Sequence, residues 1–493
     1  MILMGRRKIY TDEKSIDQSN ILPVLRKAYS EHCQNAVEMN YLINYEKGYQ
    51  PLPRQKIVRP EIDIQVQDNI ANMITDFKIG YVWGSPITLV QKGDKDLNNS
   101  DPDKDDSAIS MINEMLLNDE SISAKDQDMA RYIEPCGIGH RMVDIKKDYD
   151  GGSCVDLYTL NSLYTFCVYR NDASQKKLLG VSYRVSTSKG KYFTCFTDKE
   201  RFEIHSWKID EEEINPLGMT PIVEYERSFD RMGCFERQIS DMNNLNVLVS
   251  DFANDSAQKT QELWWGNDFE FPTDETTGKP KTPESGQWVM TSSGENKNPK
   301  IQALSSTYDS DGVLNSISQR RGFILEKCKV PLQSDPGGGS TGTAMSMSSG
   351  WSAAEVDACR EEQMIRKGKR EELKLILRAI EKSPDVPADS PMRSLKYTDV
   401  DFHFERNKNY DMSIKANTFA TYIKCGIHGR HALKVTDAFS DIEQVWIDSK
   451  DMIEKYQKSL IETPSTEEER IMSDNSDQIG NSPILDGMNT DNN

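Results

Sequence analysis

The chain has 493 residues, of which 37% are hydrophobic and 28% charged, and its formal net charge is −19. That length accommodates about two to four domains. The acidity excludes a protein that grips nucleic-acid phosphates over its whole surface, because such binding draws its affinity from Lys and Arg displacing counterions.

No run approaches the ~18 apolar residues of a membrane span. The opening "MILMGRRKIYTDEKS" turns charged too soon for a secretory signal, which needs an apolar core of ~7–15 residues. Nine cysteines, Cys33, Cys136, Cys154, Cys167, Cys195, Cys234, Cys328, Cys359 and Cys425, are scattered without C-x-x-C pairs. They read as reduced thiols of a cytoplasmic setting.

Residues 16–46 read as helical, with Ile21, Val24, Leu25, Ala28 and Tyr29 at helical spacing. "YEKGYQPLPRQK" is a Gly/Pro-punctuated connection, and residues 62–80 return to a helical pattern through Ile70, Met73, Ile74 and Phe77. "GYVWGSPITLVQKG" reads as a turn and a short strand, and residues 93–107 as an acidic, solvated loop. Between about 136 and 230 the pattern is one of short β runs, with a hairpin signature at Asp150-Gly151-Gly152. "LYTFCVYR", "LLGVSYRVS", "KYFTCFTD" and "RFEIHSWKI" continue that series.

Residues 236–265 read as one long helix without Pro or Gly, with Ile239, Met242, Leu245, Val249, Phe252 and Ala253 on its apolar spacing. A polar excursion over 266–304 carries strands at "QWVM" and "KIQAL", and a second helix runs through "VLNSISQRRGFILEKC" to Pro331. Helix, small β excursion and helix together describe a stalk with a tip. A further helix runs from about Ser352 to Ile380 and contains the basic stretch "RKGKR", which reads either as a phosphate contact or as a solvated face. "TDVDFHFER" alternates as a strand, residues 411–459 are largely helical, and the acidic tail from Ile461 reads as disordered.

The glycine-rich "PGGGSTGTAMS" tests for nucleotide binding. Gly337, Gly339 and Gly342 satisfy G-x-G-x-x-G, and Gly337 and Gly342 have P-loop spacing. Yet Thr343 stands where the phosphate-binding lysine belongs, and Ala344 where the magnesium-binding hydroxyl belongs. A helix and Pro331 precede the loop instead of a strand, so it reads as a linker. Cys425, His428 and His431 in "CGIHGRH" carry zinc-ligand types, but their spacing and the flanking glycines read as a helix-to-turn junction. His32, His140, His205 and His403 are isolated in sequence, and no G-x-S-x-G elbow occurs. No catalytic residue, metal or cofactor is expected. Trp264-Trp265 reads as a packing or subunit contact at the end of the long helix, with base stacking as the alternative.

Four stretches carry a resemblance. "YEKGYQPLPRQK" has a Tyr–x–x–Gly–x–Gln segment before a basic residue. "NIANMITDFKIGYVWGSPITL" has an Asn-started helix running into Tyr–x–x–Gly–x–Pro. "TPIVEYERSFDRMGCFERQISDMNNLNVLVSDFANDSAQ" passes from a Pro-containing strand to a long helix, and "VDFHFERNKNYD" is a strand followed by Arg-Asn. Together they resemble the portal proteins of tailed bacteriophages, of the SPP1 portal type, over roughly residues 20 to 455. One element departs: the family's Ser-Gly-x-Ala reads here Thr341-Gly342-Thr343-Ala344.

The resemblance implies an α+β, multidomain portal subunit that forms a ring, usually of twelve copies, through which double-stranded DNA is packaged and ejected. Residues 1–235 would be N-terminal helices and a β-rich wing, 236–262 and 306–330 the stem helices, and 263–305 the clip. Residues 331–350 would be the tunnel loop, 351–405 a long helix and returning wing strand, 406–460 a helical crown, and 461–493 the tail. Gly337, Gly338, Gly339, Ser340, Thr341, Gly342 and Thr343 would border the DNA, and Trp264, Trp265 and Trp288 would meet the motor. Its partners would be the large terminase, head–tail connectors, and the major capsid and scaffolding proteins, at the capsid vertex and without a membrane. The competing classes are a nucleotide-dependent enzyme using residues 337–344 and another virion assembly component.

Overall fold

A computed structural model describes residues 5–52, 63–92, 108–146, 152–186, 190–259, 263–267, 276, 278, 300–304, 310–332, 350–406, 412–436, 439 and 442–462. The fold is mixed α+β. The chain forms two compact units, one of residues 1–84, 124–143 and 157–372, the other of residues 85–123, 144–156 and 373–493.

In the first unit, helix α1 (Ile21–Glu46) is 26 residues long, which at 1.5 Å per residue spans about 39 Å. Its buried residues fall at three- and four-residue intervals along one face, from Ile21 through Leu25, Ala28, His32 and Met39 to Tyr45. The first half of that face packs on a six-stranded sheet of order β1-β5-β6-β7-β8-β9, through Ile21, Leu25 and Ala28 against Val168, Val181, Phe193 and Phe202. Here β1 is Ile9–Thr11, β5 Thr165–Arg170, β6 Lys177–Ser186, β7 Gly190–Phe196, β8 Glu200–His205 and β9 Lys208–Ile214. β1 joins β5 in parallel, and the remaining pairs are antiparallel.

The second half of α1 belongs to another core. Met39, Leu42 and Tyr45 meet Ile70 and Ile74 of α2 (Ile70–Val82), Phe235, and Met242 and Leu245 of α5 (Ile239–Lys259). Ile324, Leu325 and Val330, at the end of α6 (Ser310–Lys327) and just beyond it, complete this core. One helix therefore ties a sheet core to a helical core.

A three-stranded sheet of order β10-β3-β4 uses β3 (Ile138–Ile145), β4 (Val155–Leu160) and β10 (Ile222–Glu226). In the second unit β2 (Ile87–Gln91) pairs antiparallel with β13 (Val400–Phe404), so the late alternating strand closes on an early one. Helices α7 (Trp351–Lys382), α8 (Met412–Lys424), α9 (Gly429–Thr436) and α10 (Ile442–Glu462) follow in chain order.

Three expectations are corrected. Residues 63–69 are not helical, and the helix expected from 62 starts at Ile70, where Asn69 caps it by accepting from the Asn72 N–H. "RFEIHSWKI" is two strands, because Ser206 and Trp207 both take positive φ (51° and 63°) and turn the chain. The Trp207 ring lies 5.3 Å from Phe193 and 5.3 Å from the Arg26 guanidinium, contacts that offset its left-handed backbone. The long helix ends at Lys259, so Trp264 and Trp265 stand on strand β11 (Leu263–Asn267). Two further helices are α3 (Ala108–Glu114), which runs into a π-helical turn, and α4 (Ile122–Cys136).

Candidate channel segment

The order of helix, β excursion and helix read from the sequence is present as α5, an antiparallel β11–β12 pair and α6; "KIQAL" is β12, and "QWVM" lies outside the described residues. β12 is Lys300–Leu304, and the register sets Trp264 opposite Ala303 and Trp265 opposite Gln302. Trp288 and the whole glycine stretch from Gly337 to Thr343 lie outside the described residues. Near the base of the stalk, Lys327 of α6 reaches Asp241 of α5 at 2.6 Å. The end of one helix therefore meets the start of the other, and the pair is antiparallel.

Above its apolar base, α5 is held by polar side chains. Asn246, Ser250 and Asn254 recur every four residues, and all are buried. They bond the main chain of the extended segment 64–68 at every second residue. Asn254 accepts from the Ile64 N–H at 2.7 Å and donates to the Ile64 carbonyl at 3.1 Å. Ser250 accepts from the Val66 N–H at 3.0 Å, and Asn246 from the Asp68 N–H at 2.9 Å. The match is geometric: four helical residues rise about 6.0 Å, and two extended residues about 6.6 Å. In the sequence these are three among many polar residues of α5, and their four-residue spacing is the available signal.

α6 differs sharply. From Asp311 to Arg321 only Val313 and Ile317 are partly buried, and Leu314 and Phe323 are 47% and 58% exposed. In water, helices of this length draw most of their stability from packing an apolar face. α6 buries such a face at its base alone.

The basic stretch 366–370 on α7 is largely engaged within the chain. Lys369 is 3% exposed and meets Asp126 at 2.8 Å and Glu372 at 3.4 Å. Lys367 meets Glu226 at 2.9 Å, and Arg366 meets Glu362 at 2.7 Å. Lys369 is docked by buried ion pairs, whereas Lys367 and Arg370 stay on an exposed face. Gly368 lies in the same contact, where an added Cβ would stand 2.5 Å from the Tyr225 ring.

The histidines also differ from their isolated reading. Among the described residues, His140, Cys167 and Glu224 alone bring metal-ligand atoms within 4.8 Å of one another. The Glu224 carboxylate is occupied by Arg231 at 3.0 Å, the Tyr169 hydroxyl at 3.0 Å and His140 Nε2 at 3.3 Å. Although burial opposes ionisation, the Arg231 charge and the His140 hydrogen bond hold that carboxyl far below its usual range. Lys177, paired with Glu371 at 2.6 Å, also acts on Cys167. Two fixed cations in that pocket oppose a third, so the cluster is an ion-paired core.

Cys425 closes α8, Gly426 takes φ +78°, and His428 lies 4.8 Å from Trp446 and 5.9 Å from His431. An added Cβ on Gly429 would stand 2.6 Å from Ile453, so α9 and α10 approach closely there. All nine cysteines are free thiols.

A search of curated proteins returns no match. A family model, described as phage portal protein, SPP1 Gp6-like, matches residues 40–458, and the chain belongs to that family. It is thus a phage portal subunit, of a structural family whose role is to form the DNA channel and dock the terminase. The family forms ring oligomers at the capsid vertex of the virion. No described helix is long and apolar enough to cross a membrane.

Proposed function

We propose that twelve copies of this chain close a ring at one capsid vertex, with α5 and α6 as its stem. The observation that carries this reading is the exposure of α6. A helix that buries only its base within one chain is accounted for when neighbouring copies cover the rest. Residues 1–235 serve as the wing, 236–262 and 306–330 as stem, 351–405 as long helix and wing strand, 406–460 as crown and 461–493 as tail.

The clip, 263–305, presents Trp264, Trp265 and Trp288 to the terminase and later to head–tail connectors. Residues 331–350 form the tunnel loop, with Gly337–Thr343 bordering the passing duplex. A loop without Lys or Arg suits sliding, because each basic contact to phosphate adds a grip that must be broken at every step. The work of packaging comes from the separate ATP-hydrolysing terminase. Scaffolding and major capsid proteins meet the ring during assembly in the host cytoplasm.

Negative-stain electron microscopy of the purified chain, with its mass in solution, tests the ring. Rings with a central hole and a mass near twelve subunits support it. A compact dimer that binds ATP or GTP overturns it and returns residues 337–344 to a nucleotide reading.

A further inference from the structure

Helix α7 is fastened to α2, α4 and the segment after β10 through charge, and the charges there do not balance. Arg227 is the centre. Its Nε meets Glu134 of α4 at 2.9 Å, and its terminal nitrogen meets Asp357 at 3.2 Å and Glu361 at 3.3 Å, both on α7. Lys78 of α2 meets Asp357 at 2.7 Å. The Trp83 indole N–H donates to Glu134 at 3.4 Å. Glu134 is 0% and Glu361 3% exposed, so neither carboxyl has water to solvate it.

Three carboxyls therefore face two cations, with Glu134, Glu361 and Lys78 buried and Arg227 and Asp357 partly exposed. The thiols of Cys234 and Cys328 also lie in range, and burial pushes both up, Cys328 to about 11. Both are neutral and supply no positive charge. Glu361 has a second peculiarity: as a carboxylate, neither of its oxygens has a hydrogen-bond donor. A buried carboxylate without a donor is strongly unfavourable. One proton resolves both the charge excess and the missing donor. Carried on Glu361, it is donated to Glu134, which lies within hydrogen-bonding reach. Three acids and two bases then become two of each.

We propose that Glu134 and Glu361 share a single trapped proton, and that this proton is a latch fastening the first half of α7 to the rest of its unit. Burial first, and the Glu134 charge next, push the Glu361 carboxyl well above its ordinary range. For Glu134, burial opposes ionisation, but the Arg227 charge prevails and holds it below. Opening the latch is an acid–base step. The Glu361 O–H bond breaks, its electron pair stays on the carboxylate, and the proton passes to solvent hydroxide. Two like charges then share one low-dielectric pocket, and α7 loosens. The latch stands whether or not the chain forms a ring. Its consequence rests on the portal reading: α7 begins at Trp351, just after the proposed tunnel loop, so the latch sets how firmly that loop is anchored on its C-terminal side.

The test uses the full chain. Ordinary carboxyls are ionised at pH 7, so infrared spectroscopy should show a protonated-acid carbonyl band that Glu361→Gln lacks and that disappears as pH rises. Amide exchange over 355–365, corrected for its intrinsic pH dependence, should accelerate in the wild type as that band is lost. In Glu361→Gln, whose amide donates as the protonated acid does, it should stay slow. No band at pH 7, a band that survives in Glu361→Gln, or wild-type exchange indifferent to pH overturns the latch. If Glu361→Gln fails to fold, the wild-type band against pH decides alone.

Discussion

Asn254 spends both ends of its amide on one residue, accepting from the Ile64 N–H at 2.7 Å and donating to the Ile64 carbonyl at 3.1 Å. The Ile64 side chain meanwhile stays 42% exposed. α5 therefore recognises the peptide groups of segment 64–68, and its side chains matter little. Asn35 treats the N-terminal arm in the same way, bonding both the N–H and the carbonyl of Arg7. Asn254→Ala should lower stability by about 1–3 kcal/mol, because it removes two part-buried hydrogen bonds to the Ile64 main chain. Ile64→Thr should stay within about 0.5 kcal/mol. Urea midpoints compare the two, and a larger effect from Ile64 would show side-chain recognition instead.

Gly368→Ala should destabilise the chain. In an exposed helix the change would stabilise by about 1 kcal/mol. Here the new methyl meets the buried Tyr225 ring, whose hydroxyl is tied to Glu372, so the ring cannot retreat freely. Overpacking of this kind costs about 1–3 kcal/mol. A raised melting temperature would show that α7 shifts at little cost.

Acid should weaken the sheet core through His32. This ring is 1% exposed, stacks on Phe166 at 4.6 Å and bonds the Leu163 carbonyl at 3.0 Å. Burial lowers its pKa to about 4 from an ordinary 6.5. The unfolded chain therefore binds the proton first, and the contribution is complete above about pH 6.5 and is lost as pH falls toward 4. The loss approaches about 3 kcal/mol. His32→Phe keeps the stack, and Tyr183 still donates to the Leu163 carbonyl at 3.1 Å. Its stability between pH 4 and 6.5 should fall less steeply than that of the wild type.

Phe323→Asp should prevent ring assembly while leaving the single chain folded, because that side chain is 58% exposed in one copy. Mass photometry reads assembly, and circular dichroism reads folding. Rings from the variant would move the subunit contact off this face.

Lysines at Ser340 and Thr343 should slow or stall DNA packaging by adding phosphate contacts to the proposed loop. An in vitro packaging rate equal to wild type would sink the sliding argument.

Regular elements were legible because their signals are local. The apolar spacing of residues 21–45 appears as the buried face of α1, and the alternation of "VDFHF" appears as β13. Errors arose where a local pattern met a distant partner. Residues 63–69 look helical, yet they form no helix because buried Asn and Ser side chains on α5, about 180 residues away, satisfy the peptide groups of residues 64, 66 and 68. Ser206-Trp207 carries no glycine, and distant contacts of the Trp207 ring with Phe193, Tyr29 and Arg26 support its turn.

By itself the sequence determined the helical and strand periods, the order of helix, β excursion and helix over 236–330, the failure of the glycine stretch as a P-loop and the kinship with portal proteins. Each of these is carried by residues near one another in the chain. The tertiary structure alone decided where charge resides. "RKGKR" looks like a basic patch until Asp126, Glu226 and Glu372 stand against it, and His140 looks solitary until Glu224 arrives from a neighbouring strand. Ion pairs form through space between elements far apart in sequence, and burial sets their strength. No local period records them.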